Sequence, residues 1–258
     1  MKKLDFKTPV EIKIMAEGGA KLAVVRDSLA AAVKAGMTGV ELDSLADILI
    51  NQSGGKASFK MVPGYHHSTC INVNEEVVHS IPTSRAFEAG DIIGIDVGIY
   101  YKGFHTDTAV TVAVNSKSEI LNSKNDKFLQ AGRMAVKNAI KQAKAGKRVA
   151  DLSAQMQKAI EGVGYSVVRS LTGHGVGREL HEDPAIPGFV SGRYEDSLEL
   201  VVGMVLAIEI MYNEGVAEIG YKNRDGWTLI TADGKISGLF EETVAITSAG
   251  PIVLTQTH

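Results

Sequence analysis

Apolar residues recur at helical spacing near the start of the chain, at Ile12, Met15, Leu22, Val25, Leu29 and Val33. Thr8-Pro9-Val10-Glu11 stands just ahead of them. Thr8 offers a capping hydroxyl, proline suits the first helical position, and Glu11 falls where a capping box needs an acid. The pattern predicts a helix over 10–35, closed by Gly36, and a second over about 41–50. It then returns. Lys34-Ala35-Gly36 is echoed by Lys144-Ala145-Gly146, Leu42 by Leu152 and Ile50 by Ile160, all at one offset. A helix over 126–144 answers the first one, and each half ends in strand-like sequence, over 92–114 and 201–246. The expectation is two related halves, 8–115 and 124–248, folded as one α+β domain over 1–258 with its site in the cleft between them. The polar, turn-rich run 115–125 is the expected join.

The strand-like runs 92–101 and 104–112 flank Lys102-Gly103, a two-residue hairpin loop with glycine where positive φ is needed. Such a loop sets Tyr101 opposite Phe104, hence Asp96 opposite Ala109 and Asp107 opposite Gly98. Side chains alternate along a strand, so both aspartates emerge on one face, diagonally placed. Like charges so close repel unless a cation lies between them. Acids on a solvated strand would escape that cost, but Asp96 sits in Ile92-Ile93-Gly94-Ile95-Asp96-Val97, the composition of a buried strand.

Glu209 repeats the anomaly in Val205-Leu206-Ala207-Ile208-Glu209-Ile210, and no Lys or Arg occurs over 201–219 to neutralise it locally. Of the neighbours Glu241 and Glu242, one should point inward and one outward, and periodicity does not say which. Thr172-Gly173-His174-Gly175-Val176-Gly177 sets an imidazole between glycines that allow close approach of a ligand. His181 follows in the same loop region, and His79 ends the run Val77-Val78. Burying unpaired carboxylates is costly, so they must share a positive charge or be protonated. Asp96, Asp107, His174, Glu209 and one of the two adjacent glutamates suit two divalent cations sharing bridging carboxylates. Mn, Fe, Co, Ni and Zn all accept such ligands.

Composition narrows the class. A net charge of −3 gives no nucleic-acid footprint and no polybasic membrane contact. Cys70 is the sole cysteine, so no internal disulfide forms. No apolar run approaches a membrane span, and the charged N-terminus lacks the apolar stretch of a secretory signal. A cytoplasmic protein without nucleic-acid or membrane partners is the expectation.

Five segments then fall into one pattern: Asn72-Val73-Asn74-Glu75-Glu76-Val77-Val78-His79-Ser80-Ile81-Pro82, Ile95-Asp96-Val97-Gly98, His105-Thr106-Asp107, Gly173-His174-Gly175-Val176-Gly177-Arg178 and Phe240-Glu241-Glu242-Thr243. In order and spacing the chain resembles the methionine aminopeptidases of the short bacterial type over nearly its full length. The resemblance implies the pita-bread fold, a pseudo-twofold αβ domain around a curved antiparallel sheet, with a dinuclear metal centre. It implies that Asp96 binds one ion and Asp107 bridges both, that His174 and Glu209 bind the other, and that Glu241 bridges. Glu242 then takes a position usually held by histidine. His79 and His181 are implied to contact substrate beside the metals, and Glu209 to carry the proton of the attacking water. Tyr65, Cys70 and Trp227 match positions lining the methionine side-chain pocket, although ordinary core packing explains those three equally well.

The implied reaction removes the first methionine from peptides with a free N-terminus, with small second residues preferred. The resemblance implies nascent chains at the ribosome as the expected substrates, and a monomer as the expected state. Ile210 stands where proline is usual, Val78 where cysteine is frequent, and Leu180 at an often aromatic place; the loop 61–67 also departs from the bacterial form. All these bear on pocket shape. Xaa-Pro peptidases share the fold and ligands but usually carry an additional N-terminal domain, whereas this chain opens on the first helix of the catalytic unit. A non-catalytic binding protein on the same scaffold would be expected to lose ligands, and all five are present.

Overall fold

The computed structural model describes residues 4–115 and 118–257. Helices α1 (Pro9–Ala32) and α2 (Gly39–Gln52) open the fold. Both begin on capping boxes, Thr8 with Glu11 and Thr38 with Glu41. α1 ends before the expected position. Gly36 lies beyond it in a turn at φ +88°, where its N–H donates to Phe87 O at 2.9 Å, and Phe87 N–H donates to Met37 O at 2.7 Å. That pairing takes the backbone groups a longer helix would have used.

Helices α3 (Glu119–Gln142) and α4 (Val149–Glu161) mirror the first pair. Gly146 turns at φ +83° and donates to Leu200 O at 2.9 Å, as Gly36 does to Phe87. The expected join is corrected here: from Glu119 onward it is helix. Its polar residues are accommodated by tertiary partners, Lys124 meeting Glu214 at 2.6 Å and buried Asn125 donating to Gly90 O at 3.4 Å. Ser116 and Lys117 of that run, like 1–3 and 258, lie outside the described residues.

Strands β1 (Lys56–Ala57), β2 (Thr69–Val73), β3 (Glu76–Val78), β4 (Ile92–Tyr101) and β5 (Phe104–Ala113) follow α2. After α4 come β6 (Ser166–Val167), β7 (Thr172–Gly175), β8 (Glu182–Pro187), β9 (Val205–Asn213), β10 (Ile219–Tyr221), β11 (Leu229–Thr231), β12 (Ser237–Thr247) and β13 (Gly250–Val253). One sheet runs β1-β4-β5-β12-β9-β7-β8, with β2 also on β4, β6 on β9 and β13 on β12. The arrangement is symmetric about the β5–β12 contact. Hairpin β4–β5 on one side answers the pair β12–β9 on the other, and β2 answers β7. A small sheet, β10-β11-β3, carries His79 just past β3 and Trp227 just before β11. The α+β architecture is that of the pita-bread fold.

Side-chain alternation decides where the acids point. Ile93, Ile95, Val97 and Ile99 of β4 pack with Leu22, Val25 and Leu29 of α1 and with Leu42, Ala46 and Ile50 of α2. Leu206, Ile208 and Ile210 of β9 and Phe240, Val244 and Ile246 of β12 pack with Leu129, Ala135 and Ala139 of α3 and with Leu152, Met156 and Ile160 of α4. Each fully buried Leu or Ile contributes about 1.5–3 kcal/mol. The helices thus cover one face of the sheet, and Asp96, Glu209 and Glu241, one residue out of phase, emerge on the other. Among the described residues no helix is long and apolar enough to cross a membrane.

Candidate metal centre and active site

The register builds one row of side chains across five strands. Cys70 lies opposite Asp96, Asp96 opposite Ala109, Ala109 opposite Glu241, and Glu241 opposite Glu209. Residues directly opposite share a face, so three carboxylates stand in line. Asp107, opposite Gly98, is two positions from Ala109 and joins them. The two-residue turn at Lys102 and Gly103, both at positive φ, sets this hairpin register as the sequence required. His174 on β7 lies opposite Ala207, two residues before Glu209. Gly173 allows the approach, because a Cβ there would meet Ala207 O at 2.6 Å.

Ligand atoms of Asp107, His174 and Glu241 lie within 4.8 Å of one another. His174 Nε2 is 3.8 Å from Glu209 Oε1. Asp96 Oδ1 and Glu241 Oε1 are buried with no hydrogen-bond partner. Among the described residues no Lys or Arg lines the cavity around them. Burial therefore pushes the Asp107 carboxyl up to about 7. Burial, with the Asp107 charge added, pushes Glu209 to about 8. Asp96 and Glu241 are raised well above the carboxylate range, by burial first and then by Asp107 and Glu209. Burial lowers His174 to about 3, so its ring is neutral. Its Nδ1 is 2.9 Å from Gly175 O; a carbonyl only accepts, so Nδ1 carries the proton and Nε2 offers a lone pair. Orphaned carboxylate oxygens, a neutral imidazole and no compensating cation are what a divalent metal site requires, and the donors fit one.

The adjacent glutamates divide as alternation demands. Glu241 faces the centre, whereas Glu242 turns to the helices and accepts from Arg26 Nη1 at 3.0 Å and 3.1 Å. Arg26 is on α1, so nothing near Glu242 in sequence marks its partner.

A cavity of about 320 Å³ opens beside the row. It is lined by all ten residues singled out in the sequence: Asp96, Asp107, His174, Glu209 and Glu241, then His79, His181, Tyr65, Cys70 and Trp227. Phe59, Tyr65, Cys70 and Leu180 form a buried apolar cluster, with Val62, Ile81 and Trp227 against it. The Trp227 ring meets Tyr65 edge-on at 5.0 Å, and Tyr65 Oη donates to Thr69 O at 2.9 Å. His79 holds φ +57°, a costly conformation for a side-chain-bearing residue. Its ring is open to the cavity, yet enough protein surrounds it that lost solvation lowers it to about 4. His181 is exposed at the mouth, its ring centroid 4.5 Å from that of His174. The sequence did not single out Phe59, Leu171 or Met211, which also line the cavity. Phe59 follows a short strand and Leu171 precedes β7, where no periodicity marks direction. Met211 could have been found, being two residues beyond Glu209 on the same face.

The departures from the bacterial pattern are explained differently. Ile210 packs in the core under α3 and α4, away from the cavity, whereas Val78 and Leu180 line it.

Known proteins share this architecture. The methionine aminopeptidase of Clostridium perfringens is 40% identical over 250 residues, spanning 97% of this chain and 98% of its own. Methionine aminopeptidase 1 of Bacillus subtilis is likewise 40% identical over 250 residues, with the same two coverages. The crystal structure of methionine aminopeptidase from Thermotoga maritima superposes with a TM-score of 0.92 at 38% identity, covering 98% of this chain and all of that one. The model of metallopeptidase family M24 matches residues 13–248, the span that holds every strand of the row and every donor at the centre. The chain belongs to metallopeptidase family M24, as a metal-dependent aminopeptidase.

Proposed function

We propose that this enzyme hydrolyses the N-terminal methionine from polypeptides with a small second residue, with two divalent ions held by Asp96, Asp107, His174, Glu209 and Glu241. One observation carries the reading: the carboxylate row runs directly into the apolar cluster, because Cys70 of that cluster is the cross-strand neighbour of Asp96. A side chain seated among Phe59, Tyr65, Cys70 and Leu180 thus places its own backbone at the acids. Such a slot, apolar and containing one thiol, suits a long unbranched thioether.

Bound divalent ions supply Lewis acidity, which lowers the pKa of a water and polarises the scissile carbonyl. Glu209, at the end of the row and beside His174, accepts the proton of that water and returns it to the leaving amine. His79 and His181 donate hydrogen bonds to the carbonyl oxygen and adjacent backbone as charge develops. His79 does so as a neutral ring over the working pH range, since its imidazole gains a proton only near pH 4. The cavity is small, about 320 Å³, so a bulky second residue would compete for its walls. In the cell the substrates would be nascent chains in the cytoplasm, and the enzyme would act as a monomer.

The test is a peptide panel with each divalent metal after chelation. Release of methionine from Met-Ala-Ser, falling steeply as the second residue is enlarged, is expected. Preferential cleavage of Ala-Pro peptides would replace this reading with that of an Xaa-Pro peptidase.

A further inference from the structure

Asp107 and Glu241 stand on opposite sides of the β5–β12 contact, the midline of the sheet. β4 pairs with β5 along its whole length, and β12 pairs with β9 over most of theirs. β5 pairs with β12 only at Ala109–Glu241 and Thr108–Glu242. Two residues from the Ala109–Glu241 pair in each direction, a threonine hydroxyl replaces the backbone ladder. Thr243 Oγ1 accepts from Asp107 N–H at 2.9 Å and donates to Asp107 O at 2.7 Å. At the symmetric position Thr111 Oγ1 accepts from Leu239 N–H at 2.9 Å and donates to Leu239 O at 2.6 Å. Between them Thr108 Oγ1 donates to Glu241 O at 2.9 Å. All three threonines are fully buried.

A directly hydrogen-bonded pair would draw the two backbones together, whereas an inserted hydroxyl holds them farther apart. At one of the two wedges the spaced residue is Asp107 itself, and the wedging side chain is two residues from Glu241. We propose that Thr243 is a positioning residue of the metal centre: its hydroxyl fixes the separation of the Asp107 and Glu241 carboxylates and so the affinity for a divalent ion. The inference rests on the reading of those two carboxylates as ligands. Both polar backbone groups of Asp107 bond to this one hydroxyl, so nothing else on the neighbouring strand holds them in place. Thr111 supplies the control, because it stitches the same seam with the same chemistry but spaces Leu239, which carries no donor.

The experiment measures Mn²⁺ binding to chelated protein by calorimetry, and melting of the metal-free protein, for wild type, Thr243→Val, Thr243→Ser and Thr111→Val. Thr243→Val should weaken Mn²⁺ binding by about tenfold or more, in the range usual for residues that orient ligands. Thr243→Ser keeps the hydroxyl and should stay within about threefold of wild type. Thr111→Val should lower the melting temperature comparably but leave Mn²⁺ affinity within about threefold. Should Thr243→Val not fold, Thr243→Cys keeps the volume with a longer, weaker bonding group and should lose at least about threefold. Wild-type affinity in the Val or Cys variant, or equal losses in Thr111→Val and Thr243→Val, overturns the proposal while the ligand reading stands. A wild-type protein that binds no Mn²⁺ sinks both.

Discussion

Stripping the metal should turn the acidic centre from a stabilising element into a destabilising one, and pH should report the change. In the folded protein burial holds Asp107 at about 7 and Glu209 at about 8. Their unfolded values are about 4. Above that pH the folded state carries more protons than the unfolded, so stability falls as pH rises through the folded values. Imidazoles that lose solvation act in the opposite sense. Burial lowers His79 and His105 to about 4 and His174 to about 3. Their contribution is lost in acid and complete above the unfolded value of about 6.5. The window free of them runs from about pH 6.5 to about pH 8. Across it Asp107 and Glu209 together remove about 2 kcal/mol, and Asp96 and Glu241, raised by the same burial, act in the same direction. For a chain of this length that is a fall in Tm of about 4–8 °C. Manganese should oppose the trend, because the ligands bind deprotonated and affinity climbs with pH. At a hundredfold excess over Kd it adds about 2.7 kcal/mol. Melting curves of chelated and Mn²⁺-loaded protein across the window test this. A metal-free curve that is flat or rises, or a manganese shift equal at both ends, would refute the electrostatic argument.

Asp107→Asn should raise the metal-free Tm at pH 8 by several degrees while abolishing metal binding and turnover; melting with elemental analysis checks both halves. His181→Ala should lower kcat by about 100-fold or more with metal content unchanged, since it removes a donor to developing charge. A parallel loss of metal would make His181 a ligand. Trp227→Ala, which strips the edge contact from Tyr65, should lower kcat/KM for methionyl peptides by about tenfold, chiefly through KM. An unchanged value would remove Trp227 from the methionine slot.

What could be read in advance was set by local rules. The turn at Lys102-Gly103 has one register, and from it the diagonal placement of Asp96 and Asp107 followed. The box at Thr8 needs only the four residues it contains. Non-local partners were not legible. Arg26 and Glu242 are far apart in sequence, so alternation alone left the two glutamates equivalent; the family resemblance singled out Glu241, and the Arg26 counterion gives the physical reason Glu242 turns away. α3 starts at Glu119, ahead of the expected position, and its Lys124 and Asn125 meet Glu214 and Gly90, partners too distant in sequence for periodicity to show. The stitched seam was invisible for the same reason: Thr108, Thr111 and Thr243 look like ordinary strand residues. Their hydroxyls matter only because β5 meets β12.

The most direct measurement combines stoichiometry with chemistry. Chelated protein titrated with Mn²⁺ should take up two equivalents by calorimetry, and the loaded enzyme should release free methionine from Met-Ala-Ser. Absence of stoichiometric binding, together with no hydrolysis under any added divalent ion, would contradict the claim that these acids converge to hold the ions that cut the peptide bond.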